Sequence, residues 1–142
     1  MSRWAVILAG GVGSRFWPLS TPERPKQLLP LATSEPLLVD AVSRLTPLVP
    51  PERILVITNR SLVDAVRAAL PAVPADNVIG EPRAAHTGPA LTWAACEIER
   101  RDHDDPVMLC VHADWSIGDA AAFRDTLSRA AAAAVRHEAL VT

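Results

Sequence analysis

The chain has 142 residues, 49% of them hydrophobic and 21% charged, with a formal net charge of −2; a globular domain of this size buries about two thirds of its unfolded surface. There is neither the basic excess of a nucleic-acid binder nor an acidic tail, and no apolar run approaches the length that spans a bilayer. The N-terminus lacks a charged-then-apolar signal region, so a reducing cytoplasmic setting is expected, with Cys96 and Cys110 as buried free thiols that have no metal-ligand spacing.

The first predicted element is a buried strand over 4–9, W-A-V-I-L-A. It runs without a linker into a loop, so that residues 8–26 read L-A-G-G-V-G-S-R-F-W-P-L-S-T-P-E-R-P-K. Gly10, Gly11 and Gly13 let bare backbone turn several N–H groups toward one anion, while Arg15, Arg24 and Lys26 bring full positive charge. This combination is expected to bind a nucleotide's phosphates. A P-loop is excluded, because Gly13 is followed by Ser14-Arg15 rather than by Lys and then Ser or Thr. The dinucleotide fingerprint is excluded as well, since its third glycine is missing and Pro18, Pro22 and Pro25 forbid an immediate helix. Lys26 is the sole lysine in a chain with thirteen arginines. A compact ammonium follows a phosphate whose charge moves during reaction better than a planar guanidinium does. The alternative reading of the stretch is a glycine turn with surface cations.

Beyond the loop, Pro36 opens an amphipathic helix with Leu37, Leu38, Ala41, Val42 and Leu45 on its apolar face, ended by Pro47. A second buried strand covers 54–58. Leu62, Val63, Val66 and Leu70 mark a helix that stops at Pro71, and 77–79 is a short third strand. Gly88-Pro89 is expected to open the next helix, with Leu91, Ala94, Ala95 and Ile98 inward and Arg100 and Arg101 at its end. The fourth strand covers 107–111. Asp119 caps a last helix with Phe123, Leu127, Ala130, Ala131 and Ala134 inward, and 139–142 is expected to begin a fifth strand. Such alternation predicts an α/β fold, a mostly parallel sheet with helices on both faces and ligands at the carboxyl ends of the strands. The glycine loop, Glu81-Pro82 and Asp114 then reach one edge of the sheet, with Asp104 and Asp105 at the other.

The stretch L-A-G-G-V-G-S-R-F-W-P-L-S, followed by P-K-Q-L-L-P-L, resembles the signature loop of the sugar-1-phosphate nucleotidyltransferases, most closely that of the mannose-1-phosphate guanylyltransferases. Gly80-Glu81-Pro82 with His86-Thr87-Gly88-Pro89-Ala90, and then His112-Ala113-Asp114, are similar to that family's second and third motifs at compatible spacing. The resemblance covers nearly the whole chain. It implies an incomplete Rossmann-like fold of the nucleotide-diphospho-sugar transferase type, with 1–142 as the N-terminal nucleotide-binding portion and the sugar-binding portion absent. The implied reaction transfers GMP from GTP to mannose 1-phosphate, giving GDP-mannose and pyrophosphate by Mg2+-assisted in-line attack on the α-phosphate.

The resemblance also implies roles for individual residues. Arg15 would hold the departing phosphates and Lys26 would neutralise charge at the α-phosphate. Gly10, Gly11, Gly13 and Ser14 would line the nucleotide, with Thr87 and Gly88 at a helix start taking part. Glu81 would accept the paired N–H donors of guanine, its alternative being a solvated loop glutamate. Asp114 would hold Mg2+, its alternative being a helix-preceding cap. His86, His112, Trp17 and Trp115 are read as packing residues without chemistry. The family usually has Arg-Asn where this chain has Ala85-His86, and Pro-Ala-Asp-His where it has His112-Ala113-Asp114-Trp115, so another base or another sugar phosphate stays open. A non-catalytic nucleotide-binding subunit, forming a homo-oligomer or taking a partner chain along the segment 139–141, is a further alternative. Neither nucleic acid nor membrane is expected as a partner.

Overall fold

The computed structural model describes residues 1–11, 14–84 and 86–142. Four strands, β1 (Arg3–Ala9), β2 (Ile54–Asn59), β3 (Val78–Glu81) and β4 (Val107–His112), form one parallel sheet in the order β3-β2-β1-β4. The helices are α1 (Leu37–Leu45), α2 (Val63–Ala69), α3 (Thr87–Arg101) and α4 (Ala120–His137), with short 3-10 turns between elements. Strand formation follows from the apolar runs: β1 and β2 are buried along nearly their whole length, so both faces must be covered.

Successive side chains supply two cores. Ala5, Ile7 and Ala9 of β1, with Ile54 and Val56 of β2 and Leu109 and Val111 of β4, face α1, α2 and α4. Trp4 and Val6 of β1, with Leu55 and Ile57 of β2, face α3 through Ala90, Ala94 and Ile98. The expected α/β class with helices on both faces is therefore present. Chain order reverses between β1 and β4, the topological switch point where a parallel sheet opens a crevice at its carboxyl ends.

Several sequence expectations shift. Residues 139–142 form no strand: α4 ends at His137, its capping residue Glu138 is left-handed (φ 48°, ψ 45°), and Leu140 is fully exposed. Apolar β-branched composition does not make a strand unless a neighbouring strand is in register to receive its hydrogen bonds. Helix α3 begins at Thr87, two residues before the expected first turn. Pro89 is tolerated there because the first four N–H groups of a helix have no intrahelical partner. Cys96 is exposed rather than buried, since the inward stripe of α3 is Ala90, Ala94 and Ile98 and Cys96 falls off it, as does Ala95. Cys110 is half-buried, and burial pushes its thiol up to about 11. Asp119 caps α4 as read, its carboxylate accepting from the Ala122 N–H at 2.9 Å.

Gly80 is where β3 meets the turn preceding α2. A Cβ there would lie 2.6 Å from Val63 Cγ2 and 2.9 Å from Arg60 Cα, so only glycine lets the strand approach this closely.

Candidate active site

The parallel register brings the exits of β1, β3 and β4 to one edge, and a cleft of about 310 Å³ opens there. Leu8, Ile57 and Ala90 form an apolar floor, and Gly10, Gly11, Lys26, Glu81, Thr87 and Asp114 stand around it. Six of the residues singled out from sequence thus share one cleft. Gly88 follows as the second residue of α3, outside the lining. Ser14 and Arg15 sit in an exposed 3-10 turn, also outside it. Gly13 lies outside the described residues.

Each wall has a local cause. Glu81 is the last residue of β3 rather than the first of the following loop. Its Oε2 would lie 3.2 Å from a Cβ built on Gly10, so the bare glycine makes room for the carboxylate beside the start of the loop. On the opposite side, the sheet ladder runs one residue past β4: the Ala113 N–H donates to the Leu8 carbonyl at 3.0 Å and Ala113 is buried, which anchors the backbone next to Asp114. Thr87 is presented by the first turn of α3. Its preceding residue His86 has φ 67° and ψ −178°, a conformation costly for a side-chain-bearing residue and found chiefly where surrounding structure enforces it.

Lys26 and Asp114, 88 positions apart, meet as a hydrogen-bonded ion pair, with 24% and 34% of their side chains exposed. Burial alone would push the Asp114 carboxyl up, but the hydrogen bond and charge of Lys26, helped by the backbone N–H of Asp114 and by His112, hold it below the ordinary value. It is therefore ionised near neutral pH. Phe16 places its ring centroid 6.0 Å from the Lys26 ammonium.

Gln27 was given no role by the sequence reading, and the structure makes it a central one. Its side chain is buried, its Nε2 donates to the Ala9 carbonyl at 2.7 Å, and Thr58 Oγ1 donates to the same carbonyl at 3.0 Å. The last peptide of β1 is pinned just where the glycine loop departs. Gln27 is among the residues that line the cleft, and its buried Oε1 has no hydrogen-bond partner among the described residues. Its position directly after Lys26 in P-K-Q was the available signal. His86 and His112, read as packing residues, also line the cleft.

A glycine-bordered cleft at a switch point, with a lysine and a carboxylate facing each other, is suited to holding a nucleotide's phosphates. The family model described as nucleotidyl transferase matches residues 4–142. The chain belongs to the nucleotidyl transferase family. Among curated relatives, it is 41% identical over 128 residues to a mannose-1-phosphate guanylyltransferase of Salmonella muenchen, covering 88% of this chain and 27% of that one. It is 36% identical over 133 residues to the mannose-1-phosphate guanylyltransferase RfbM of Salmonella typhimurium, covering 92% and 28%. Of solved structures, a Thermus thermophilus protein described as a mannose-1-phosphate geranyltransferase superposes with a TM-score of 0.82 at 36% identity, over 94% of this chain and 38% of that one. The chain spans about a quarter of the length of these curated relatives. The resemblance read from the loop and the two later motifs is thus borne out, and so is the nucleotidyltransferase fold. Among the described residues no helix is long and apolar enough to cross a membrane.

Proposed function

We propose that this chain forms the donor-nucleotide site for transfer of GMP from GTP to mannose 1-phosphate, with release of pyrophosphate. The observation that carries the reading is the convergence of Gly10, Gly11, Lys26, Glu81, Thr87 and Asp114 on one cleft. Support comes from membership in the nucleotidyl transferase family and from relatives named mannose-1-phosphate guanylyltransferase.

In this reading the backbone at Gly10 and Gly11 lies against the nucleotide and Glu81 accepts the two N–H donors on the guanine edge. Thr87 and Gly88 contribute the N-terminal N–H groups of α3. A phosphate oxygen of the acceptor bonds to the α-phosphorus while the bond between that phosphorus and the bridging oxygen breaks, its electron pair leaving with pyrophosphate. Lys26 neutralises charge at the α-phosphate, and Arg15, with Gly13 and Ser14 beside it in sequence, serves the departing β- and γ-phosphates.

The donor set fits Mg2+: this ion is commonly held by one or two carboxylates together with substrate phosphates, and Asp114 offers one ionised carboxylate beside Lys26. No group of three or more His, Cys, Asp or Glu that would make an all-protein cage exists among the described residues. Bound Mg2+ would supply charge stabilisation to the phosphate oxygens. We further read residues 1–142 as the nucleotide-binding portion of the enzyme, working in the cytoplasm, where its free thiols stay reduced.

A second reading is favoured by His86 and His112, which line the cleft where the family usually carries Asn and Pro. Two imidazoles in place of an amide and a proline change the hydrogen-bonding surface offered to base and ribose, which favours another nucleotide or sugar phosphate. Calorimetric titration with GTP, ATP, UTP and dTTP, each with and without Mg2+, decides between the two. Tightest binding of GTP, strengthened by Mg2+, is the expected result. Preference for another nucleotide would move the substrate, and absence of binding by a folded chain would overturn the donor-site reading.

A further inference from the structure

Arg44, near the end of α1, takes no part in the cleft lining, yet it is wired to it. Its Nη2 donates to the Trp115 carbonyl at 3.1 Å, the residue directly after Asp114. Its guanidinium lies 5.7 Å from the centroid of the Phe123 ring on α4. Phe123 meets Trp115 edge to face at 6.4 Å and 86°, and Trp115 in turn leans on His112 at 5.2 Å and 40°. Arg124 Nη1 completes the arrangement by donating to the Arg44 carbonyl at 3.2 Å. One guanidinium therefore ties α1 to α4 and to Trp115, and Trp115 in turn contacts His112 on the other side of Ala113-Asp114.

Packing alone does not account for an arginine here. Arg44 makes no salt bridge among the described residues, and its buried Nε has no hydrogen-bond partner among them. Burial draws its guanidinium below the ordinary value, against a smaller opposing effect of Asp40. A partly desolvated cation without a matched acid is a cost to stability that an apolar side chain would avoid. The segment it holds has no regular structure between β4 and α4. On the amino side of Asp114 the backbone is fixed by the bond from the Ala113 N–H to Leu8, and on the carboxyl side by Arg44.

We propose that Arg44 is a positioning residue that holds the Asp114 carboxylate at the cleft wall by clamping the Trp115 carbonyl, one residue beyond it. The functional part of this inference rests on Asp114 being the cation ligand of the proposed nucleotide site, while the clamp itself does not.

The test compares Arg44→Met, which keeps length and apolar volume but loses the donors, with Arg44→Lys, which keeps charge and a donor. Amide hydrogen exchange across 113–119 reads the clamp directly, and calorimetry with GTP alone and with GTP plus Mn2+ reads its consequence. In Arg44→Met, exchange in 113–119 is expected to rise about tenfold with the strands unchanged. The gain in GTP affinity on adding Mn2+ is expected to fall about tenfold while metal-free GTP binding stays as in the parent chain, and Arg44→Lys recovers part of both. Unchanged exchange in 113–119 would overturn the clamp. Equal losses with and without Mn2+, tracking the melting temperature, would overturn the positioning role in favour of general packing. Asp114→Asn separates the two levels: if it leaves the Mn2+ gain intact, the cation reading of Asp114 fails, and hydrogen exchange still decides whether Arg44 clamps the segment. Should Arg44→Met fold poorly, Arg44→Leu, which also lacks donors, serves with the same readouts.

Discussion

The two edges of the sheet use polar residues in opposite ways. At the amino edge, Ser2 Oγ and Trp4 Nε1 donate to Asp102 Oδ2 at 2.5 and 2.8 Å, and the Asp104 N–H donates to Asp102 Oδ1 at 3.0 Å. Close by, Asn77 Nδ2 donates to the carbonyls of Glu52 and Ile54, and Asn77 Oδ1 accepts from Arg101, which also pairs with Glu97. These groups satisfy one another. At the carboxyl edge the pairing is incomplete: Gln27, a cleft residue, leaves its buried Oε1 without a partner among the described residues, and Arg44 Nε, outside the cleft lining, is likewise unpaired among them. A saturated network spends its hydrogen bonds on stability, whereas unsaturated groups retain capacity that a ligand can complete.

The sharpest way to break this comparison is Lys26→Ala. If the proposed function holds, removing the ammonium cuts nucleotidyl transfer by a factor on the order of 10² to 10³ while weakening GTP binding far less, because in that reading the charge Lys26 meets develops mainly in the transition state. Measuring kcat beside the GTP dissociation constant tests this, and equal small losses in both would sink the role.

Next in size is Gln27→Leu, close in shape but without the donor to Ala9. It is expected to weaken GTP binding about tenfold, with little change in the urea midpoint, because the substitution also removes an unpaired buried acceptor. A large loss of stability with intact binding would instead place Gln27 with the amino-edge residues.

The smallest effect belongs to Asp102→Asn, which should lower the melting temperature by a few degrees and leave nucleotide binding untouched. Hydrogen bonds from Ser2, Trp4 and the Asp104 backbone bring the Asp102 carboxyl from an ordinary 3.8 to about 2. Because the folded value lies below the unfolded one, this stabilisation is complete above about pH 4 and disappears as pH falls through about 2. The difference in melting temperature between parent and variant should therefore shrink over that window, and a constant difference would remove the charge from the explanation.

Much of this was legible in the sequence because it is written locally. Unbroken apolar runs announced β1 and β2, prolines and the Asp119 cap marked helix limits, and Gly10, Gly11 and Lys26 of the singled-out loop do line one cleft. Legibility faded where a local pattern needed a distant partner. Residues 139–142 had strand composition but lie exposed beyond α4 and pair with none of the four strands, and Cys96 looked buried until the inward stripe of α3 was known. For Gln27 the P-K-Q neighbourhood marked the position, but not that a strand-end carbonyl lies 2.7 Å from its side chain.

By itself, then, the sequence determined the alternating elements, their apolar faces and the residue types at each strand exit, all of which depend on neighbours within a few positions. Only the tertiary structure decided that β1 lies between β2 and β4, that Lys26 meets Asp114 across 88 positions, and that Arg44 reaches the neighbouring Trp115 carbonyl from α1. Periodicity constrains which side of an element faces inward, but which elements become neighbours depends on how two cores pack against a single sheet, and that is a property of the whole chain.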